Sequence, residues 1–222
     1  MLPTKQAQRS YNIMKRIVYS LILAMISVIC LNAQEESSHL AFQLGTGFTQ
    51  GLGRTGSNLD TGWNISGGIG YNFNSYIGAL LDVNSNSLGI NSTTLNNIGV
   101  PGGNVYVFTA TLDPIVHLNP HGHLDCYITG GGGLFHQRQN FTQPAVATVY
   151  GFDPFFGFYP AAVPVTQILS SYSVNKPGFD AGVGIAMGTK WHGKFYAEAR
   201  YERMFDGAYH TDLLPVTFGY RW

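Results

Sequence analysis

The chain has 222 residues, of which 45% are hydrophobic, 14% aromatic and only 11% charged, and its mean hydropathy is +0.03. Soluble domains carry about 25% charged residues, so the low charge argues against an ordinary soluble domain. The neutral mean hydropathy excludes a bundle of long apolar membrane helices. Four of the 12 basic residues lie in the first 16 positions, which leaves 8 basic against 12 acidic residues in the remainder. This mildly acidic remainder, without a basic patch, argues against nucleic acid as a partner.

The N-terminal segment has the pattern of a secretory signal peptide. Lys15 and Arg16 precede the uncharged segment 17–31, and Ala33 follows at a position suited to cleavage. A positive region, a short apolar region and a small residue before the cut are the features of such signals. We therefore predict a signal peptide over residues 1–33.

The predicted mature domain covers residues 34–222, and Met14 is an alternative start of the chain. A lipoprotein signal at Cys30 is disfavoured, because the bulky Ile29 precedes the cysteine. After cleavage one cysteine, Cys126, remains, so no internal disulfide can form. We interpret Cys126 as a small apolar side chain on a strand face.

Eight stretches alternate apolar with small or polar residues, and none shows a convincing helical period. They cover residues 40–50, 63–73, 76–84, 105–118, 124–136, 177–188, 194–203 and 213–222. Asn74 and Ser75 suit a two-residue hairpin turn between the second and third stretches. We therefore predict eight strands without helices.

The predicted connections differ in length. Those at 51–60, 84–104 and 137–176 are long, the turns between them are short, and only the loop 205–211 is short for its side. Long loops on one side and short turns on the other are typical of outer-membrane barrels, as is an even number of strands. The expected fold is all-β: an eight-stranded antiparallel up-and-down transmembrane β-barrel with long extracellular loops.

The last strand shows the two faces of such a wall most clearly. Its apolar or aromatic residues occupy every second position, and Thr217, Gly219 and Arg221 occupy alternate ones. Lipid on one side and a polar lumen on the other explain this pattern.

The chain resembles the small eight-stranded outer-membrane barrels of Gram-negative bacteria, the OmpA- and OmpX-like group. The resemblance lies in the aromatic end 216–222, the strand 195–201 and the hairpin 63–83, and covers nearly the whole mature chain. It implies an outer-membrane location, contact with outer-membrane lipid and recognition of the last strand by the barrel-assembly machinery. The residues of this expected assembly signal are Val216, Phe218, Tyr220 and Trp222. We expect no peptidoglycan-binding domain after the barrel.

Inward positions of the predicted strands gather ionisable side chains. The expected lumenal charge network consists of Asp82, Asp113, Asp180, Glu198, Arg200, Glu202 and Arg221. Eight strands enclose a lumen that side chains just fill, and isolated buried charges are costly. We interpret the network as a plug of ion pairs, with the two glutamates as partners of Arg221; a solute path or an acid/base site is the alternative.

Two other patterns suggest ligands only superficially. His117, His121 and His123 could bind zinc or copper, but no cysteine accompanies them and a turn explains their setting. The glycine-rich segment 51–56 lacks the Lys-Ser/Thr ending of a phosphate-binding loop. We therefore predict no metal and no cofactor.

The connection 137–176 is unusually aromatic, and this departs from the resemblance. Clustered aromatics in an extracellular loop indicate a surface that binds an extracellular ligand, although the loop could also fold over the barrel mouth. Prolines at positions 144, 154, 160 and 164 predict that it is not a regular strand. The candidate binding residues are Phe152, Phe155, Phe156, Phe158 and Tyr159.

These patterns favour a non-enzymatic outer-membrane protein with a structural, surface-interaction or adhesion role. A narrow porin-like channel is one alternative, although eight strands rarely leave an open lumen. A lipid-modifying enzyme is the other, but we find no convincing Ser-His-Asp set or rim carboxylate cluster in the sequence.

Overall fold

The computed structural model of the protein describes residues 39–189, 193–207 and 209–222. The predicted signal peptide, with Met14 and Cys30, lies outside these residues.

Eight antiparallel strands form a closed barrel in which each strand pairs with its neighbours in chain order and β1 also pairs with β8. The strands are β1 (Leu40–Gly51), β2 (Gly62–Asn72), β3 (Ile77–Gly89), β4 (Gly102–His117), β5 (Leu124–Asp153), β6 (Gly157–Gly188), β7 (Lys194–Asp206) and β8 (Tyr209–Arg221). The predicted all-β, eight-stranded antiparallel barrel is confirmed.

Side chains alternate between the lumen and the outer wall, as the period of two requires. On β8, Thr217 and Arg221 are buried, whereas Phe218 and, directly after the strand, Trp222 are exposed on the outer face. On seven strands the apolar row of the outer wall ends at a polar residue. All seven lie at the end of the barrel that carries the β1–β2, β3–β4, β5–β6 and β7–β8 connections, which we call the side of the long connections. These residues are Gln50, Ser85, Asn104, His136, Asn175, Arg203 and Asp212. The apolar rows together form a continuous belt around the barrel.

The ring closes between β1 and β8 through glycines. Gly45 lies opposite Gly219 in the register of the two strands. A Cβ atom on the neighbouring Gly47 would lie 1.9 Å from the backbone carbonyl oxygen of Val216. No side chain fits at that distance, so close approach of the two backbones requires glycine there.

The connection predicted over residues 84–104 is shorter than predicted and covers residues 90–101. β3 continues to Gly89, and β4 begins at Gly102. Asn84 and Asn86 are buried on the lumenal face of β3. Asn and Ser are turn signals in a half-buried sheet, but a barrel with a polar lumen accepts them within a strand.

The described part of the chain contains two short helices, although we predicted none. They are α1 (Gly53–Asn58), in the first connection, and α2 (Ser92–Ile98), between β3 and β4. The Asn91 side chain accepts a hydrogen bond from the Thr93 N–H at the start of α2, and Gly99, at φ 69°, ends it. Neither helix has the length or apolarity to cross a bilayer, and the same holds for all helices among the described residues.

The prediction of an irregular loop over residues 137–176 was also wrong. β5 runs to Asp153 and β6 starts at Gly157, so the segment is a long two-stranded hairpin. Beyond Thr142, β5 pairs with β6 and no longer with β4. The loop predicted at 205–211 is likewise mostly strand.

The prolines of this hairpin share one register class. The pairs that contain them are Pro144 with Thr166, Val146 with Pro164 and Tyr150 with Pro160. In an antiparallel ribbon every second pair points its N–H groups away from the partner strand. Proline at those positions removes no hydrogen bond between the strands, so it does not break them.

The β2–β3 turn spans residues 73–76, longer than the predicted two-residue turn. The Asn74 side chain explains the difference, because its Oδ1 accepts hydrogen bonds from the N–H groups of Tyr76 and Ile77, both at 2.8 Å.

Candidate functional site

The middle of the lumen holds one arginine surrounded by carboxylates. Arg200 Nη1 lies 2.6 Å from Asp113 Oδ2, 2.8 Å from Asp180 Oδ2 and 3.4 Å from Asp82 Oδ2. Its Nη2 donates to Glu198 Oε1 at 2.7 Å. These carboxylates belong to β3, β4, β6 and β7, and the arginine is 4% exposed. A single guanidinium, with donors arranged in a rigid fork, therefore cross-links four strands.

A lumenal glycine makes room for this cluster. The backbone N–H of Gly131 donates to Asp180 Oδ1 at 2.8 Å. A Cβ atom on Gly131 would lie 2.5 Å from Asp113 Oδ1 and 2.1 Å from the Leu112 carbonyl oxygen. Gly131 thus allows close packing in the lumen.

Glu202, the next inward residue of β7, is held by amides. Asn84 Nδ2 donates to its Oε1 at 3.2 Å, and Asn86 Nδ2 donates to its Oε2 at 3.5 Å. Thr49 in turn donates to Asn86 Oδ1. We did not predict these three polar residues as part of the network. Asn84 and Asn86 alternate with Ser85 and Ser87, and this period of two was the available signal for a strand. We interpreted the segment as a loop because of its composition.

Arg221 lies apart from the Arg200 cluster. Its Nη2 donates to Gln43 Oε1 at 2.7 Å, and its guanidinium carbon lies 4.8 and 5.3 Å from the ring centroids of Tyr127 and Tyr196. Among the described residues no ion pair joins Arg221 to a glutamate of β7, so the expected pairing was wrong. The register explains this, because Arg221 lies opposite Gln43 on β1.

Apolar side chains occupy the lumen on both sides of the charged cluster. The cluster on the side of the long connections comprises Leu88, Ile90, Leu95, Val105, Val107, Phe135, Met204 and Leu213. The cluster on the side of the short turns comprises Ile115, Tyr127, Ala186 and Tyr196. Leu95 belongs to α2, so this helix adds to the packing inside the ring. Buried side chains therefore occupy the lumen at three successive levels.

The three histidines around the β4–β5 turn do not converge on one point. His117 Nδ1 lies 2.6 Å from Asp125 Oδ2. His121 packs edge-on against Tyr76, with ring centroids 5.9 Å apart. Within the described part of the chain, no group of three or more His, Cys, Asp or Glu side chains is arranged to hold a metal ion.

An ion pair lies at the outer rim, beyond the apolar belt. Arg203 Nε donates to Asp212 Oδ1 at 2.7 Å, and Nη2 donates to Oδ2 at 3.0 Å. The hydrogen bonds from Arg203 lower the pKa of the Asp212 carboxyl below its ordinary value. Thr55 Oγ1 of α1 accepts from the Asp212 backbone N–H at 3.2 Å. The pair thus joins β7 to β8 next to the hydrogen bond between β8 and α1.

The four predicted assembly residues of β8 all lie on the outer wall. Phe218 is 54% and Trp222 52% exposed. The Tyr220 ring contacts those of Phe195 and Trp222, each at 5.1 Å between centroids. Lipid is the medium in which such a face is stable. Recognition of these residues by the assembly machinery stays a prediction.

A concavity on the same wall lies between side chains of β1, β2, β5, β6, β7 and β8. It is lined by Leu44, Ile65, Ile185, Met187, Phe195 and Phe218, among others, and no Ser, His, Asp, Glu or Cys lines it. The free cysteine Cys126 is exposed on the outer face of β5.

The candidate aromatic residues come together at the end of the β5–β6 hairpin. Phe155 is 90%, Phe156 87% and Phe158 77% exposed, so this end does not pack on the barrel mouth. The Phe152 and Phe158 rings face each other across the strands with centroids 5.1 Å apart. Tyr159 is the least exposed of the five, at 46%.

The turn at this end has a defined conformation. Asp153 Oδ1 accepts hydrogen bonds from the backbone N–H groups of Phe155, at 2.7 Å, and Phe156, at 3.1 Å. Gly157 follows at φ 77°, in the left-handed region. We call residues 144–166 the apolar tip of the hairpin, and residues 136–143 with 167–176 its polar stem.

Comparisons with known proteins agree with this architecture. A sequence model of the outer membrane protein beta-barrel domain matches residues 21–221. Neisserial surface protein A is 12% identical, with 84% of this chain and 98% of that chain covered, at a TM-score of 0.55.

Two further solved structures have lower TM-scores. Ail, the attachment invasion locus protein of Yersinia pestis, is 16% identical over 82% of this chain and 98% of its own, at a TM-score of 0.45. The outer membrane protein OprG from Pseudomonas aeruginosa is 11% identical over 82% of this chain and 95% of its own, at 0.44. No curated protein matches the chain.

The match to the family model spans nearly the whole chain. At 12% identity, the likeness to the neisserial protein establishes the fold alone, and that fold is the barrel described above. The resemblance to small outer-membrane barrels is thereby confirmed. The chain belongs to the outer membrane protein beta-barrel domain family.

Proposed function

We propose that this protein is a non-enzymatic outer-membrane barrel that presents its β5–β6 hairpin for surface interaction or adhesion. One observation supports this above all: the aromatic residues of the hairpin end are exposed outside a barrel whose lumen is occupied by side chains. The cross-linked lumen makes the barrel a rigid anchor, and the hairpin is the element that is free to meet a ligand.

The location and assembly route belong to the same proposal. Export depends on the signal peptide 1–33, and the long connections face outward as in other outer-membrane barrels. The assembly machinery recognises the outer face of β8.

An enzymatic role is disfavoured by the chemistry of the outer wall. A lipid-modifying enzyme needs a nucleophile, a base or a metal beside its lipid substrate. The apolar concavity of the lipid-facing wall is lined by no Ser, His, Asp, Glu or Cys, so the hydroxyl groups of Thr46, Tyr196 and Tyr220 find no base among the lining residues.

A narrow channel is the alternative function, and its test is electrical. We expect the refolded protein to give no steady single-channel steps in planar bilayers, because the ion pairs of Arg200 and two apolar clusters occupy the lumen. A general porin serves as the positive control. Steady steps from the wild-type protein would favour the channel instead.

Removing the apolar tip should abolish surface interaction without unfolding the barrel. Gln143 lies opposite Gln167, so an Asn-Gly turn can join them in place of residues 144–166. We expect cells that display the wild-type protein to be retained on octyl-agarose, and cells with the shortened hairpin to pass through. Heat-modifiable migration of both proteins verifies folding. Equal retention would contradict the proposed role.

A further inference from the structure

The β5–β6 hairpin changes its chemistry along its length. In the polar stem, Gln143 Nε2 donates to Gln167 Oε1 at 3.1 Å, and Ser171 Oγ donates to Asn140 Oδ1 at 2.7 Å. The apolar tip contains four phenylalanines, two tyrosines, four valines and four prolines, and Asp153 is its single charged residue. On both strands, therefore, the side chains change from polar to apolar at the same paired position, between Gln143–Gln167 and Pro144–Thr166.

The tip exposes apolar side chains beyond its turn. Val146 is 74%, Tyr150 77% and Phe152 65% exposed, and all three share one face of β5. Their cross-strand partners Pro164, Pro160 and Phe158 are exposed as well. A contiguous uncharged surface of this kind indicates contact with a partner that is itself apolar.

The backbone of the turn suits an environment poor in water. The backbone N–H groups of Phe155 and Phe156 both donate hydrogen bonds to Oδ1 of Asp153. Pro154 has no N–H group to satisfy. A backbone donor without a partner is costly in lipid, and these donors keep their partner when water leaves. The two phenylalanine rings can therefore enter lipid without loss of these hydrogen bonds.

The edges of the hairpin set the depth of such insertion. Beyond Thr142, β5 has β6 as its neighbour but no longer β4. The outer edges of a two-stranded ribbon carry backbone groups that hydrocarbon cannot satisfy. Deep insertion is therefore excluded, whereas aromatic rings at the boundary of head groups and acyl chains, about 5–10 Å deep, are favourable.

Other partners suit the tip less well. Pro144, Pro160 and Pro164 remove N–H groups from the outer edges of the ribbon, which opposes strand pairing with a second copy. An anionic polymer would find no complementary charge, because the tip contains no basic residue, and a cationic polymer would find only the single carboxylate of Asp153.

We propose that residues 152–158 insert into the interface of a lipid bilayer that faces the membrane holding the barrel. This assignment depends on the proposed function of the hairpin and names its partner. Residues 136–153 of β5 span up to about 60 Å at roughly 3.3 Å per residue, which allows the turn to reach across an aqueous gap.

The test uses the full-length protein folded in nanodiscs and mixed with protein-free phosphatidylcholine vesicles. We expect nanodiscs with the wild-type protein to co-float with the vesicles, and Phe155→Ser/Phe156→Ser to reduce co-floating by at least about tenfold. The matched control, Ile168→Ser/Leu169→Ser, removes two apolar side chains that are 52% and 48% exposed in the polar stem. It should co-float like the wild type. Added salt should change neither result, because no basic side chain is involved.

A second measurement identifies the membrane that is entered. In Phe156→Trp, brominated lipid in the vesicles should quench the added fluorescence, whereas brominated lipid in the nanodisc should not. The assignment would be overturned if brominated lipid in the nanodisc alone quenched the fluorescence. It would also be overturned if the wild-type protein did not co-float, or if the Phe155/Phe156 variant co-floated equally well. Association of nanodiscs without vesicles would assign the tip to a second copy and also overturn it. If cells are still retained on octyl-agarose while vesicles are not bound, the surface role stands and only the lipid assignment is lost.

Discussion

Arg200→Gln is expected to lower the free energy of unfolding by about 3–5 kcal/mol, because removal of one partner leaves buried charges without compensation. Arg200 is the cation shared by Asp82, Asp113, Asp180 and Glu198. A urea titration of the protein in phospholipid vesicles, followed by tryptophan fluorescence, measures the change.

Two further variants separate charge from packing. Asp113→Asn and Asp180→Asn in the Arg200→Gln background remove two of the orphaned charges and should restore part of the lost stability. The matched control is Arg203→Gln, which breaks an ion pair at the outer rim, where the arginine side chain is 33% exposed. Exposed pairs contribute about 0–1 kcal/mol. Equal losses for Arg200→Gln and Arg203→Gln would mean that the lumenal cluster does not hold the barrel together.

Phe218→Asp is expected to reduce the assembled, heat-modifiable protein in the outer membrane by more than about tenfold, a factor that corresponds to about 1.4 kcal/mol. Phe218 is the middle residue of the apolar row 214–222 on the outer wall and is exposed there. Loss of the ring removes about 1.5–3 kcal/mol of favourable free energy of transfer from water to an apolar environment. A charge in the belt adds a further penalty, about 2–4 kcal/mol for arginine at the midplane and less for aspartate.

The matched control for this variant is Phe155→Asp, the same chemical change at the hairpin end. It lies outside the belt, so assembly should stay intact. Deletion of Trp222 should also impair assembly, since the Trp222 ring packs on Tyr220 at the end of β8. Normal assembly of Phe218→Asp would show that β8 is not the critical strand of the wall.

The two faces of the wall are predictable from the sequence because alternation is a local property. Residues two apart share a face of a strand, so the lipid side of Phe218 and the lumenal side of Arg200 and Glu202 follow from their own neighbours. The number of strands and their antiparallel order follow from the same pattern together with the short turns.

Strand ends were less predictable, because composition has different meanings in different surroundings. Asn84 and Asn86 indicate a turn by composition, yet a polar lumen accepts them in a strand. Pro144 and Pro160 indicate a break, yet the free edges of a two-stranded ribbon tolerate them. In both places the surroundings of the strand decided the outcome, and those lie far away in sequence.

By itself, the sequence determined an eight-stranded wall with an apolar outer face, a polar inner face and a cluster of aromatics in one connection. Only the tertiary structure decided which side chains meet inside the ring. Arg200 reaches Asp113, 87 positions away, and Arg221 reaches Gln43, 178 positions away, rather than a glutamate of its neighbouring strand. The physical reason is that lumenal contacts depend on registers accumulated around the whole ring, including the glycine closure of β1 on β8, whereas alternation needs only adjacent residues.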